Sequence, residues 1–321
     1  MTIDPAIAAL MAMAPAPDPD AGLLPVATRR DTIEADFGTM MAALQGASFD
    51  DVDVVETTVP GPTRDIPVRV FRPAGVRTPL PALLYFFGGG FWMRTYNSPD
   101  ILGACRQTAS EAGVAVVEID YALAPEHKYP AALDEGRAVL DWMATGAGEH
   151  LIDAAKLAVG GQSAGGGLAA GLAIRVRDSG GPAIALQVLE VPGVDLSLSQ
   201  FDPPPAGYTA DQLAGLVESV EFYLPEGVDS DDPAVSSTSV ADLSGLPPAL
   251  IINAEHDPLR PSGERYAARL REAGVTVVST TYGGQVHNSP GLTGISAGSR
   301  AWRAQVSWAV ATLHSAGGAL S

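Results

Sequence analysis

The spacing of hydrophobic positions along the chain changes near residue 50. Before that point Ile33, Phe37, Met40 and Leu44 recur as one face of a helix would. They predict a helix over about 31–44. Ile7 to Met13 predicts a shorter one, and the breaker run Pro15-Ala16-Pro17-Asp18-Pro19-Asp20 follows it. After residue 50, Val52 to Val59 and Ile66 to Phe71 are short β-branched runs separated by Pro and Gly, like antiparallel edge strands. Further runs show little alternation: Ala82 to Phe87, Val114 to Ile119, Leu157 to Val159, Ala185 to Leu189 and Ala249 to Ala254. Strands apolar on both faces belong in a sheet covered by helices on both sides. Helical segments fall between them, near 98–112, 131–145, 164–178 and 261–273. The alternation predicts an α/β fold with a mostly parallel, doubly wound sheet.

One segment interrupts that alternation. Residues 198–235 hold Pro203-Pro204-Pro205 and then a helix opened by Thr209, with Gln212 placed for a capping box. Leu213, Val217 and Val220 give this helix an apolar face. The segment follows a strand, where an α/β sheet carries its functional loops. Together with residues 1–50 it is expected to form a helical lid. The expected organisation is an N-terminal helical cap over 1–50 and a catalytic domain over 51–321, with 198–235 as a second cap segment.

Composition narrows the class. Apolar residues make up 46% of the 321 and charged residues 17%, which excludes a disordered chain. The lone cysteine, Cys105, excludes an internal disulfide framework and a Cys-rich zinc site. A net charge of -18 argues against nucleic acid or an anionic membrane as partner. The first residues carry Asp4 and no basic cluster before their apolar run, unlike a secretory signal. No apolar stretch approaches the about 20 residues that span a bilayer, so a cytoplasmic location is expected.

The strongest chemical signal is Gly161-Gln162-Ser163-Ala164-Gly165-Gly166, between a strand and an Ala- and Leu-rich helix. A nucleophile on a tight strand-to-helix turn needs small neighbours, hence glycines two residues to either side of Ser163. The helix N-terminus adds partial positive charge beside the serine. Two other readings compete. A glycine-rich helix start permits close packing and nothing more. Gly165 to Ala170 also fits a dinucleotide fingerprint, with Glu190 ending the next strand, but it begins inside the helix rather than at the strand end.

A second signal is Phe87-Gly88-Gly89-Gly90-Phe91, directly after a strand. Such a run is either a flexible turn or a source of free backbone N–H groups. In acyl transfer those groups stabilise an oxyanion, together with the N–H of Ala164 after the nucleophile. A serine nucleophile needs a base, and the base an orienting acid. Of the five histidines, His287 lies in a loop expected after the strand Val275 to Thr281. Asp257 stands just past another central strand. The order Ser163, Asp257, His287 is the one used by hydrolases with this turn. Glu255 is the rival acid.

At this point the sequence resembles the hormone-sensitive-lipase-like (bacterial family IV) group of α/β-hydrolase esterases. Gly161 to Gly166 is similar to the group's G-D-S-A-G-G motif, and Phe87 to Gly90 to its H-G-G-G motif. Tyr121-Ala122-Leu123-Ala124-Pro125-Glu126-His127 and Asp257-Pro258-Leu259 also resemble segments of the group. The resemblance implies an α/β-hydrolase fold with a helical lid. It implies Ser163 as nucleophile, His287 as general base and acid, Asp257 as orienting acid, and an oxyanion hole from Gly88, Gly89, Gly90 and Ala164. The Glu126-His127 segment would brace the glycine loop.

Two departures stand out: Phe87 replaces a histidine that would hold the glycine loop, and Gln162 replaces an aspartate. The expected function is a serine carboxylester hydrolase for short-to-medium acyl esters, with no metal or cofactor. Its partner would be a small-molecule ester, and a homodimer is left open. Phe87, Phe91, Trp92, Tyr208 and Phe222 are candidate substrate-binding residues. The alternatives are an amide or carbamate hydrolase with the same triad, and a non-catalytic small-molecule receptor on the same fold. A dinucleotide-dependent reductase is weaker still.

Overall fold

The computed structural model describes residues 2–13, 21–145, 147–197, 210–315 and 320. Eight strands form one sheet in the order β1-β2-β4-β3-β5-β6-β7-β8. They are β1 (Val52–Pro60), β2 (Asp65–Pro73), β3 (Leu80–Phe86), β4 (Ala115–Ile119), β5 (Ile152–Gln162), β6 (Ile184–Glu190), β7 (Ala249–His256) and β8 (Val277–Val286). The pairings β1–β2 and β2–β4 are antiparallel and the others parallel. The continuous apolar runs are the reason: every residue of β3 and β4 is buried. The edge strand β1 instead buries only Val52 and Val59 and leaves most of its other residues exposed.

Among the described residues the α-helices are α1 (Pro5–Met13), α2 (Val26–Leu44), α3 (Pro99–Ala112), α4 (Ala131–Thr145), α5 (Ala164–Ser179), α6 (Ala210–Tyr223), α7 (Arg260–Glu272) and α8 (Ala297–Ala311). α3 packs with α8 and α4 with α5, so two helical layers bury the central strands. α3 starts with Pro99 at its first positions and stops at Gly113, which takes the left-handed conformation at φ 68.

Three elements differ from the sequence-based expectation. α2 begins at Val26 rather than near Asp31, and its buried contact is Met41, not Met40, which is 40% exposed. Met41 packs with Ile7 and Leu292 in a small cluster of its own, which sets the face that turns inward. β8 runs on through Tyr282 to Val286, where a loop was expected. Its glycines are absorbed by an irregularity in the register with β7 between Ala254 and His256. Finally, α8 was not anticipated. Its apolar side chains Trp302, Val306 and Val310 follow helical spacing, and the Ser296 side chain caps it by accepting the Ser299 N–H.

α1 and α2 sit against the rest of the chain through the apolar cluster of Ile7, Met41 and Leu292, and α2 adds charged contacts. Arg29 makes two bonds to Glu218 on α6, at 2.7 and 2.6 Å. Arg30 pairs with Glu126 at 2.8 Å and donates to the carbonyls of Trp92 and Ala124 at 2.7 and 3.0 Å. Among the described residues, no helix is long and apolar enough to cross a membrane.

Candidate active site

β5 ends at Gln162 and α5 starts at Ala164, so the chain reverses direction on Ser163 alone. The cost shows in its backbone, held at φ 56 and ψ -120. Such a conformation costs an L-residue about 1–3 kcal/mol. The flanking glycines make the turn sterically feasible. A Cβ on Gly161 would lie 2.5 Å from the Phe86 carbonyl oxygen, and one on Gly165 closer still. Ser163 donates its N–H to the Glu190 carbonyl at 2.8 Å. Its own carbonyl accepts from Gly167 at 3.1 Å and Gly193 at 2.9 Å.

The neighbouring strands deliver the other groups to the same edge. Asp257 follows β7 and His287 follows β8. His287 Nε2 stands 2.8 Å from Ser163 Oγ, and His287 Nδ1 stands 2.8 Å from Asp257 Oδ2. The second Asp257 oxygen accepts the Leu259 N–H at 2.8 Å. With Nδ1–H given to the carboxylate, Nε2 is left to accept the serine proton. The Asp257 carboxylate is fully buried, while the His287 side chain is 27% exposed. Burial works to lower the imidazole's pKa. The Asp257 charge and hydrogen bond outweigh it, and the pKa is raised.

Glu255, the rival acid, is committed elsewhere. Its carboxylate accepts the Gly284 N–H at 2.8 Å, which holds its pKa below the usual range. The lone thiol, Cys105, is buried, and burial pushes its pKa well up, so it offers no thiolate.

The glycine loop lies beside this chain of groups. Gly88 is buried, and a Cβ there would approach the Gln162 carbonyl at 3.2 Å. Gly89 and Gly90 are half-buried at φ 119 and φ 57. A Cβ on Gly89 would lie 2.5 Å from the Met93 carbonyl oxygen, and one on Gly90 would collide with the Ser219 hydroxyl of α6. The loop is braced through its carbonyls. The Gly88 carbonyl accepts from the Thr95 hydroxyl at 3.1 Å, and the Gly89 carbonyl from Met93 N–H at 2.8 Å. Among the described residues no backbone partner is seen for the Gly89, Gly90 and Ala164 N–H groups.

Phe87 takes a different place from the one expected of a substrate contact. It is fully buried beneath the loop, stacked on Tyr121 with ring centres 4.3 Å apart. It is core packing, because the β3 end points it inward between Tyr96 and Tyr121. The brace expected of Glu126-His127 comes instead from earlier in that segment. Tyr121 donates its hydroxyl to the Phe87 carbonyl at 3.0 Å, and Ala124 its N–H to the Phe91 carbonyl at 3.0 Å. Glu126 serves the contact with Arg30.

The other aromatic candidates divide. Phe91 stacks on Tyr223 at 4.0 Å and borders a cavity of about 530 Å³. Leu168, Leu196, Tyr223 and Val240 supply apolar walls and Arg175 and Asp178 charged ones; the cavity follows α5 from Gly167 to Ser179, and neither Ser163 nor His287 lines it. Trp92 and Phe222 meet edge to face at 5.6 Å, with the Arg29 guanidinium 4.7 Å above the indole. They form the joint between the glycine loop, α2 and α6. Tyr208 and the capping residue Thr209 lie outside the described residues.

Comparison with known proteins shows the family. A family model described as alpha/beta hydrolase fold matches residues 83–290. A carboxylesterase of Mycobacterium tuberculosis, NlhH, is 40% identical over 230 residues, which is 70% of each chain. An ethyl acetate hydrolase of Pseudomonas putida is 32% identical over 302 residues, covering 90% of this chain and 92% of its own. Among solved structures, an esterase of Pyrobaculum calidifontis superposes with a TM-score of 0.84 at 33% identity, covering 98% of this chain and 100% of that one.

Proposed function

The chain belongs to the hormone-sensitive-lipase-like group of the α/β-hydrolase family and hydrolyses esters, and from that premise we propose that Ser163, His287 and Asp257 carry the reaction. The single observation that supports this is the unbroken chain of 2.8 Å contacts from Ser163 Oγ through the imidazole to Asp257.

Ser163 Oγ attacks the ester carbonyl as His287 Nε2 takes its proton. The oxyanion is held by the N–H groups of Gly89, Gly90 and Ala164, with Gly88 setting the loop's approach to the elbow. The imidazolium, steadied by Asp257, gives the proton to the departing alcohol. Water then attacks the acyl-serine by the same route in reverse. Every step uses groups of this chain, and the proton exchanges between Oγ, Nε2, the alcohol and water.

The substrate class is a short-to-medium acyl ester. The ethyl acetate hydrolase among the relatives supports the short end of the range. Residues 1–50 and 198–235 act as the cap, a reading supported by the bond that joins Arg29 of α2 to Glu218 of α6. A panel of p-nitrophenyl esters from acetate to palmitate tests the reading. Turnover highest on acetate to octanoate is expected, and a maximum on palmitate would contradict it.

A further inference from the structure

Glu190 closes β6, and no step of the reaction above uses it. It is fully buried and stands in register with Gln162, one residue before the nucleophile. Its carbonyl takes the Ser163 N–H at 2.8 Å. The next residue, Val191, holds φ 41 although it is β-branched, a conformation such residues rarely adopt. Two residues later the Gly193 N–H returns to the Ser163 carbonyl at 2.9 Å. The strained turn at Ser163 and the strained turn at Val191 are therefore interlocked by one hydrogen bond in each direction. Strain of this kind persists only where the surroundings over-determine the backbone.

The Glu190 carboxylate is itself held by buried donors. Arg303 Nη1 donates to both of its oxygens, at 2.9 and 2.7 Å. Trp302 Nε1 donates at 2.8 Å and the Tyr85 hydroxyl at 3.3 Å. Arg303 also reaches α3, donating to the Ala104 carbonyl at 3.2 Å and the Thr108 hydroxyl at 3.0 Å. Trp302 stacks on Tyr282 of β8 with ring centres 5.3 Å apart. β8 ends one residue before His287. One buried clasp thus joins the end of the nucleophile's neighbouring strand to the strand that carries the base.

We infer that Glu190, clasped by Arg303 and Trp302, is a positioning residue that fixes the backbone aiming Ser163 at His287. It touches neither substrate nor reacting atoms. The inference rests on Ser163 being the nucleophile.

Two variants test it. Glu190→Gln keeps the side-chain shape and removes the charge. Glu190→Met with Arg303→Met replaces the ion pair by apolar groups of similar size, a change that at buried positions is often neutral or stabilising. The readouts are kcat and KM on p-nitrophenyl butyrate, the rate of Ser163 labelling by a fluorophosphonate, and thermal unfolding. In both variants kcat and labelling should fall by about tenfold or more, because small misplacements of a reacting group are costly. KM should stay within about twofold, as expected when ground-state binding is intact. In the double variant this loss should persist although the unfolding temperature matches that of the wild type. A double variant that regains wild-type kcat together with stability would overturn the inference, and it decides alone if Glu190→Gln fails to fold. Wild-type turnover and labelling, measured alongside, report on Ser163 independently of Glu190.

Discussion

Tyr121 stacks on Phe87 at 4.3 Å and donates its hydroxyl to the Phe87 carbonyl at 3.0 Å. One residue thus holds both the side chain and the backbone at the root of the glycine loop. This explains how the loop keeps its place without the histidine the family carries there. Tyr121→Phe keeps the stack and removes the bond. The expected result is a fall in kcat of about tenfold with little change in KM, since oxyanion donors lose aim before the pocket does. Steady-state kinetics on p-nitrophenyl acetate check this.

Phe87 lies under the loop, not on a wall that substrate meets. Phe87→Leu should therefore change hydrolysis of acetate and of octanoate in the same proportion, and lower stability by about 1–3 kcal/mol through lost packing. Paired kinetics on the two esters and chemical denaturation measure both effects. A selective effect on one ester would return Phe87 to the pocket.

The pH profile follows from the base. The His287 pKa is raised, because the charge and hydrogen bond of Asp257 outweigh burial. The acidic limb of kcat/KM should then lie above the ordinary imidazole value of about 6.5. In Asp257→Asn, burial acts unopposed. The limb should move to lower pH, and kcat should fall by roughly 10³-fold or more. The sign for stability is also fixed. A base with a raised folded-state pKa contributes stability in full below its unfolded value and loses it as pH rises through the folded value.

Glu118 of β4 is wholly buried, and its nearest cation, Arg69, is 3.5 Å away. Burial pushes its carboxyl pKa well up, against the pull of Arg69. A raised carboxyl favours the folded state when protonated, so stability falls as pH climbs from the unfolded value of about 4.3 through the folded one. Glu118→Gln mimics the protonated form. It should unfold at a higher temperature than the wild type at pH 8, with the difference closing towards pH 4. Calorimetry across that range checks the trend.

The fold was legible in the sequence wherever burial on two faces left an unbroken apolar run, as in β3, β4 and β7. The nucleophile turn was legible because Gly161 and Gly165 answer a local steric demand. Asp257 and His287 were legible from their place after strands in a known order. What escaped is long-range. The two glycines before Gln285 look like the end of a strand, yet pairing with β7 carries β8 through them. The inward turn of Phe87 depends on Tyr96 and Tyr121, which neither periodicity nor motif reveals. Trp302 and Arg303 sit on a helix that was not foreseen, more than a hundred residues from the Glu190 they bind. No spacing rule connects them.

Ser163 Oγ lies 2.8 Å from His287 Nε2, the contact on which its proposed role as nucleophile rests. The most direct test of that role is to treat the wild type and Ser163→Ala with a fluorophosphonate, locate the adduct by peptide mass spectrometry, and assay both on p-nitrophenyl butyrate. One adduct is expected, on the peptide containing Ser163, with loss of labelling and turnover in the variant. A Ser163→Ala protein that still hydrolyses the ester at the wild-type rate would contradict it.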